Sequence, residues 1–371
     1  MTTTYRLDIY DTSGVLQYVL DFKSQPTSLQ YVRRVNAPGM VVFSVAGDHP
    51  LLSDIQDKWQ VEVWRKPSDG DWSREIAAFY RDLDPWQYAE QSTAVLKCEG
   101  ILSMLSWRHV AYYADTANRS KFTSKSIETI ANTLVTYNAT TSGTTGDGRI
   151  RAAAGGYPFT GLSVEADDGE GASIDWYCAY SNLLETLQNL VKGHGDFDIV
   201  KTSDIAWQWR YYHGQLGADK SATVIFALSR GNMKEPTFRD IRSGEATVAL
   251  VAGQGEESER DVVVRTGTNY AAGNDIEIFI PATDIDKDDT TGLNARGDAR
   301  LSENEAVKAF SFGVLETSAT QYKRDFDLGD LVSVINPYNG TKYKVKIEAV
   351  AETIDGGSGD RDLQIEVSEP L

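Results

Sequence analysis

Short runs that alternate apolar and polar side chains, each closed by a turn residue, recur along this chain and constrain its fold more than any other feature. A side-chain period of two belongs to a strand with one buried face, so the chain should build antiparallel sheets. Tyr5-Arg6-Leu7-Asp8-Ile9-Tyr10 alternates, and Asp11-Thr12-Ser13-Gly14 turns it into a second strand over residues 15–22. Two more span 31–35 and 39–45 around the bend Asn36-Ala37-Pro38-Gly39. Strands at 60–65, 72–81 and 92–100 follow, with Pro67-Ser68-Asp69-Gly70 turning the first into the second. Seven short strands in the first hundred residues predict an antiparallel barrel or sandwich.

The period then changes. Ile127, Ile130, Ala131 and Leu134 form an apolar stripe at helical spacing within residues 124–135. Leu183, Leu187, Leu190 and Val191 do the same, with Asn182 as N-cap and Gly193 as stop. Between these helices lies a Thr/Gly-rich loop at 140–148. Runs at 197–201, 205–212 and 222–228 read as a β-meander. Alternation returns at 246–252 and 261–266, around a hairpin loop. A helix is expected near 293–304, and strands at 309–315, 331–335, 342–353 and 362–367. No internal repeat is visible, which argues against a solenoid or propeller.

At 371 residues the chain is long for one core, because single cores stop growing beyond about 250–300 residues. The reading is a β-rich α+β protein of three parts. A first small antiparallel barrel spans 1–112 and a mixed α+β domain spans 113–243. A second barrel spans 244–371, with an insertion at about 275–305. The first residues carry neither a basic nor an apolar signal region, and no apolar run is long enough for a membrane segment. The cysteines, Cys98 and Cys178, stand far apart, so a disulfide framework or zinc site is not expected, and the cytosol is the natural place of synthesis.

The net charge of −18 is uneven. Residues 1–244 hold 24 basic and 29 acidic side chains, and residues 245–371 hold 12 and 25, so the last third carries −13 of it. Binding to phosphates needs the opposite sign. Such acidity serves solubility, or a wall past which nucleic acid slides without sticking.

Each catalytic or binding pattern fails at a named residue. Asp284, Asp286 and Asp288 are the one metal candidate, spaced as at the start of a calcium loop. The sixth position is Asp289 instead of glycine and the twelfth is Ala295 instead of glutamate, so a solvated acidic loop is expected. Gly253-Gln254-Gly255 lacks the third glycine of a dinucleotide turn, where Ser258 stands. His49, His109, His194 and His213 fall in no catalytic motif. The pair Asp167-Asp168 has no glycosidase context. The aromatic run Trp207-Gln208-Trp209-Arg210-Tyr211-Tyr212 reads as a core strand before it reads as a sugar platform. No catalytic residue and no cofactor are expected.

Several phrases, in order, resemble a known family. Residues 31–45 followed by His49-Pro50-Leu51-Leu52 look like its Arg-rich strand, bulky strand and Leu-Leu loop. Glu99-Gly100-Ile101-Leu102-Ser103-Met104-Leu105 with Arg108 looks like its exit from the first barrel. Ser229-Arg230-Gly231-Asn232-Met233, Gly253-Gln254-Gly255 with Arg260, and residues 293–301 around Arg296-Gly297 fit further turns and a short helix. The most telling phrase is Tyr322-Lys323-Arg324-Asp325-Phe326-Asp327-Leu328-Gly329-Asp330-Leu331-Val332-Ser333-Val334. Together they resemble the tail-tip or baseplate hub proteins of siphophages, which are similar to the trimeric hub of contractile-tailed phages. The loop at 140–148 and the segment at 284–289 have no counterpart in that pattern.

The resemblance implies a structural protein of the virion tail tip, not an enzyme. It implies two tail-tube-like barrels per subunit and a homotrimer that adapts a sixfold tail tube to a threefold tip around the DNA channel. Implied partners are the distal tail, tail tube and tape measure proteins and a tail fibre or central spike. Phage DNA would pass without specific binding. The other readings are a tail-associated carbohydrate-binding or peptidoglycan-degrading protein, and a cytosolic β-rich binding protein.

Overall fold

A computed structural model describes residues 3–22, 28–68, 70–83, 86, 88, 92–111, 120–142, 161–178, 180–273, 275–356 and 358–368. The first part is built mainly of strands: β1 Thr4–Tyr10, β2 Leu16–Asp21, β3 Ser28–Arg34, β4 Met40–Ala46, β5 Gln60–Lys66, β6 Ser73–Leu83 and β7 Thr93–Gly100. The short helix α1, Leu51–Asp54, plugs its Leu-Leu pair into the core. On β1 the alternate residues Tyr5, Leu7 and Ile9 are buried, and β7 buries Ala94, Leu96, Cys98 and Gly100 in the same way.

The middle part opens with α2 Ser103–Ser106, β8 Ser120–Ser126 and α3 Ile127–Ala139. It continues with β9 Leu162–Val164, β10 Ser173–Cys178, α4 Leu183–Val191, β11 Gly195–Ser203 and β12 Ala206–His213. The Asn182 carboxamide caps α4, accepting from the Leu184 and Glu185 N–H groups. Gly193 follows with φ +75°, a conformation that ends the helix at little steric cost. Trp207, Trp209, Phe197 and the apolar stripes of α3 and α4 share one core. The last part holds β13 Ile225–Phe226, β14 Met233–Ile241, β15 Val248–Ala252, β16 Val262–Thr266, β17 Glu277–Pro281 and α5 Thr290–Glu303. It ends in β18 Val307–Val314, β19 Leu331–Ile335, β20 Lys342–Asp355 and β21 Arg361–Val367.

The largest sheet runs β14-β18-β21-β20-β3-β4-β7-β6-β5-β1-β2, with β19 pairing β20 and β13. Two antiparallel units with separate cores therefore meet along the β3–β20 ladder. Among the described residues no ladder joins the edges β2 and β14, so the path is open.

Two expectations are corrected. The meander stops after β12, whose second neighbour is β9, in parallel; residues 225–226 pair β19 instead. The chain is drawn away because Phe226 buries against Phe312 and Phe326. The runs at 248–252 and 262–266 do not join the last large unit either. They form a separate sheet, β16-β15-β17, with α5 on one face and a core of its own. Of the loop at 140–148, residues 143–148 lie outside the described residues.

Candidate functional site at the junction of the sheets

The β3–β20 register places Tyr31 opposite Glu352. The Tyr31 hydroxyl donates to Glu352, both away from water, and the part-buried Arg361 Nε–H donates to the other carboxylate oxygen. Arg361 Nη1 also donates to Glu316, at 2.6 Å, and Arg65 Nη2 lies 3.8 Å from the same carboxylate. A second chain of bonds runs beside it. Arg33 Nη1 donates to the Tyr322 hydroxyl and to Asp327, each at 2.7 Å. Tyr322 donates to Glu75 at 2.9 Å, and Lys323 Nζ sits 2.9 Å from Asp327. Glu352 is 0% exposed and Glu75 5%.

Burial pushes the phenols of Tyr5, Tyr31 and Tyr322 well above their ordinary value, so they stay protonated donors at neutral pH. Burial opposes ionisation of Asp327 and Glu316 too. The guanidiniums and Lys323 outweigh it and hold both carboxyls below the usual range. Such a cluster fixes geometry: every formal charge has a partner, and removing one partner strands the other.

Two further joints bring in the middle part. Asp196, at the start of β11, accepts from Asn36 Nδ2 (2.9 Å), Lys346 Nζ (2.9 Å) and the Leu216 N–H (2.7 Å). Asn36 takes a left-handed φ of +55° to reach it, and its own carboxamide oxygen accepts from the Phe197 N–H. The buried Glu62 accepts from Lys201 Nζ (2.7 Å), Arg74 Nη1 (3.2 Å) and Trp64 Nε1 (3.0 Å). Between these joints lies a cavity of about 220 Å³, lined by Arg33, Arg74, Glu75, Asp198, Lys201 and Trp207. Burial raises Asp198 there to about 6.

The telling phrase turns out to be the knot of the last unit. Gly329 has φ +85°, and a Cβ there would meet Leu216 and the Gly217 backbone at 2.9 Å. Asp330 accepts from the N–H groups of Asp327 and Ala218 and pairs with Lys220 at 2.9 Å. Other quoted motifs have equally physical reasons. Asn232 bonds Ala227 and Ile225 across the left-handed Gly231. Arg260 Nε donates to the Gly253 carbonyl, closing the hairpin. A Cβ at Gly297 would meet Val251 and Arg265 at 2.9 and 2.6 Å, so α5 lies close against its sheet. Sequence reasoning missed the junction because its partners stand up to 321 positions apart. Only an isolated Glu352 in an otherwise apolar alternation hints at it.

The aspartates of the metal candidate are not brought together as a ligand set. Asp284 forms a fork with Arg296, and the Asp288 N–H donates to Asp261. Asp289 caps α5 through the Gly292 N–H. Among the described residues no group of three or more His, Cys, Asp or Glu is placed to hold a metal ion. His49 Nδ1 accepts from the Leu51 N–H, and the His194 carbonyl accepts from Tyr211. Trp207 and Trp209 are core residues, with Trp209 Nε1 donating to Asn132. Both cysteines are free and buried, and burial lifts the Cys178 thiol to about 12.

The model of the siphovirus ReqiPepy6 Gp37-like protein family matches residues 6–366. Among curated proteins none matches the sequence significantly. Three solved structures show the fold. The 43 kDa tail protein of prophage MuSo2 from Shewanella oneidensis is 13% identical, with a TM-score of 0.53 over 99% of this chain and 98% of its own. The tail protein from Neisseria meningitidis MC58 is 9% identical, with a TM-score of 0.54 over 100% and 97%. A chain of the Francisella PdpA–VgrG complex is 9% identical, with a TM-score of 0.50 over 99% of this chain and 57% of its own. At these identities the likeness is one of fold. The family match covers nearly the full length, and the chain therefore belongs to the siphovirus ReqiPepy6 Gp37-like family of phage tail proteins.

Proposed function

We propose that this tail protein is the hub of the tail tip, three copies of which close a ring around the DNA channel. The observation that carries this reading is the division of the large sheet into two antiparallel units with separate cores, joined along β3–β20. A subunit with two such units, each curled as a tube-like barrel, offers six similar positions from three copies. That lets a threefold tip dock on a sixfold tube. The whole-chain likeness to two tail proteins, one of them from a prophage, supports it. In this reading the first unit spans about 1–112, the middle part from about 113 through β12 braces the ring, and β13, β14 and β18–β21 form the second unit, with the β15–β17 sheet and α5 inserted in it. The distal tail, tail tube and tape measure proteins and a fibre or spike contact it. The acid excess of residues 245–371 faces the lumen, so DNA slides past unbound. The role is structural: the buried ion pairs at the junction hold geometry.

Native mass spectrometry of the chain, alone and with its tail tube and distal tail proteins, tests this. A three-copy species, alone or on co-assembly, is expected. A chain that stays single and joins neither protein would overturn the reading.

A further inference from the structure

A second cleft lies away from the junction, where β10 and α4 face α5 and the turn before it. It holds about 270 Å³ and adjoins a smaller pocket of about 50 Å³ that shares Trp176, Tyr177, Asp284 and Arg296. Small ligands favour clefts between structural units. Three observations say what kind.

The first is Tyr180. It lines the cleft, is 53% exposed and has φ +55°, a strained setting for a bulky residue. Its backbone is held on both sides: the Tyr180 N–H donates to Val110 at 2.7 Å, and the Val110 N–H donates to Ser181 at 2.8 Å. The fold thus keeps a large ring at the mouth of a polar cleft instead of burying it.

The second is the set of planar polar groups opposite. Arg296 grips Asp284, with Nη2 at 2.6 Å. Asn189 Nδ2 donates to Glu303 at 2.8 Å, and Arg300 donates to the other oxygen of that carboxylate. These bonds orient the groups, and among the described residues the Asn189 carboxamide oxygen and further guanidinium N–H groups have no other hydrogen bond. Planar donors and acceptors side by side suit adjacent hydroxyls.

The third is charge. Glu185, Asp284 and Glu303 outnumber Arg296 and Arg300 in the lining, so no cationic excess draws a phosphate or a polyanion. An apolar ring face next to polar but uncharged edges is the surface of a sugar.

We propose that this cleft binds a neutral saccharide of one or two pyranose rings. Tyr180 stacks on the apolar face of the sugar, and Asn189, Arg296 and Arg300 bond its hydroxyls. The inference stands apart from the ring reading and survives if that reading fails.

Saturation-transfer NMR and tryptophan fluorescence on the full chain test it, with chitotriose, maltotriose and mannotriose as probes and trilysine as the peptide control. At least one saccharide should bind saturably in the millimolar range or tighter. Tyr180→Gly, which removes the ring and relieves the backbone, and Asn189→Leu should each weaken it about tenfold or more while leaving the thermal midpoint near wild type. Lys344→Ala, remote from the cleft, should change nothing. The proposal is overturned if no saccharide of the panel binds at about 10 mM. It is equally overturned if binding ignores both cleft variants, or if trilysine alone binds.

Discussion

The two large units and the β15–β17 unit are attached to their neighbours by the same kinds of side chain in opposite settings. Beside β3–β20 the ion pairs that cross between the units each bury one member: Arg65–Glu316 is 3% and 24% exposed, and Lys323–Glu75 is 22% and 0%. Where α4 meets the end of α5, the Lys192–Glu305 pair is 49% and 41% exposed. Charge in water gains little because solvent screens it and two long side chains lose freedom. Charge taken out of water must be matched group for group. The first joint therefore fixes one orientation of the two large units. The second holds the smaller unit with little penalty for giving way.

The contrast can be broken most sharply at Glu352. Glu352→Ala leaves Arg361 and the Tyr31 hydroxyl without their shared partner and should cost about 3–5 kcal/mol, read as a fall in the urea midpoint. A loss under about 1 kcal/mol would mean that water already reaches the joint. Next comes Gly297→Leu, which drives a side chain into Val251 and Arg265. It should cost about 1–3 kcal/mol. Hydrogen exchange should rise across β15, β16 and α5 while β3 and β20 stay protected, since these regions have separate cores.

Asp198 gives a pH test. Its folded value, raised from 3.8 to about 6, favours the protonated form, so its contribution is present below about 4 and lost as pH rises through 6. Asp198→Asn should therefore be more stable than wild type at neutral pH by about 1–2 kcal/mol, and the gap should close toward pH 4. Asp327 and Glu316 act in the opposite sense: their contribution is present above the ordinary carboxylate value and lost as pH falls through their lower folded values. The smallest effect is expected from Lys192→Ala, within about 0.5 kcal/mol. A larger loss would put the outer joint on the same footing as the inner one.

Strand content and helix positions were legible because one face of each element is apolar. The alternation at residues 5–10 and the stripe at Ile127, Ile130, Ala131 and Leu134 announce β1 and α3 directly. Strand β14 was not legible: Pro236 interrupts it at a register shift, and residues 237–241 are exposed throughout. β8 hides for a similar reason, with Lys121, Thr123 and Lys125 facing outward among few apolar residues. The pairing of β15 and β16 with β17, instead of with the last large sheet, depends on Leu293 and Leu301 of α5, which local pattern does not connect to them. The junction cluster was the least legible. Arg33 and Glu75 look like surface residues until long-range contacts bring both to the Tyr322 hydroxyl.

The central claim is that this tail protein forms the ring at the tip. A reconstruction of the assembled phage tail, without imposed symmetry at its end, tests it most directly. The account predicts three copies around the channel below the tube, with the acidic side chains of residues 245–371 turned to the lumen. Density for this chain elsewhere on the particle, or a lumen lined by its lysines and arginines, would contradict it.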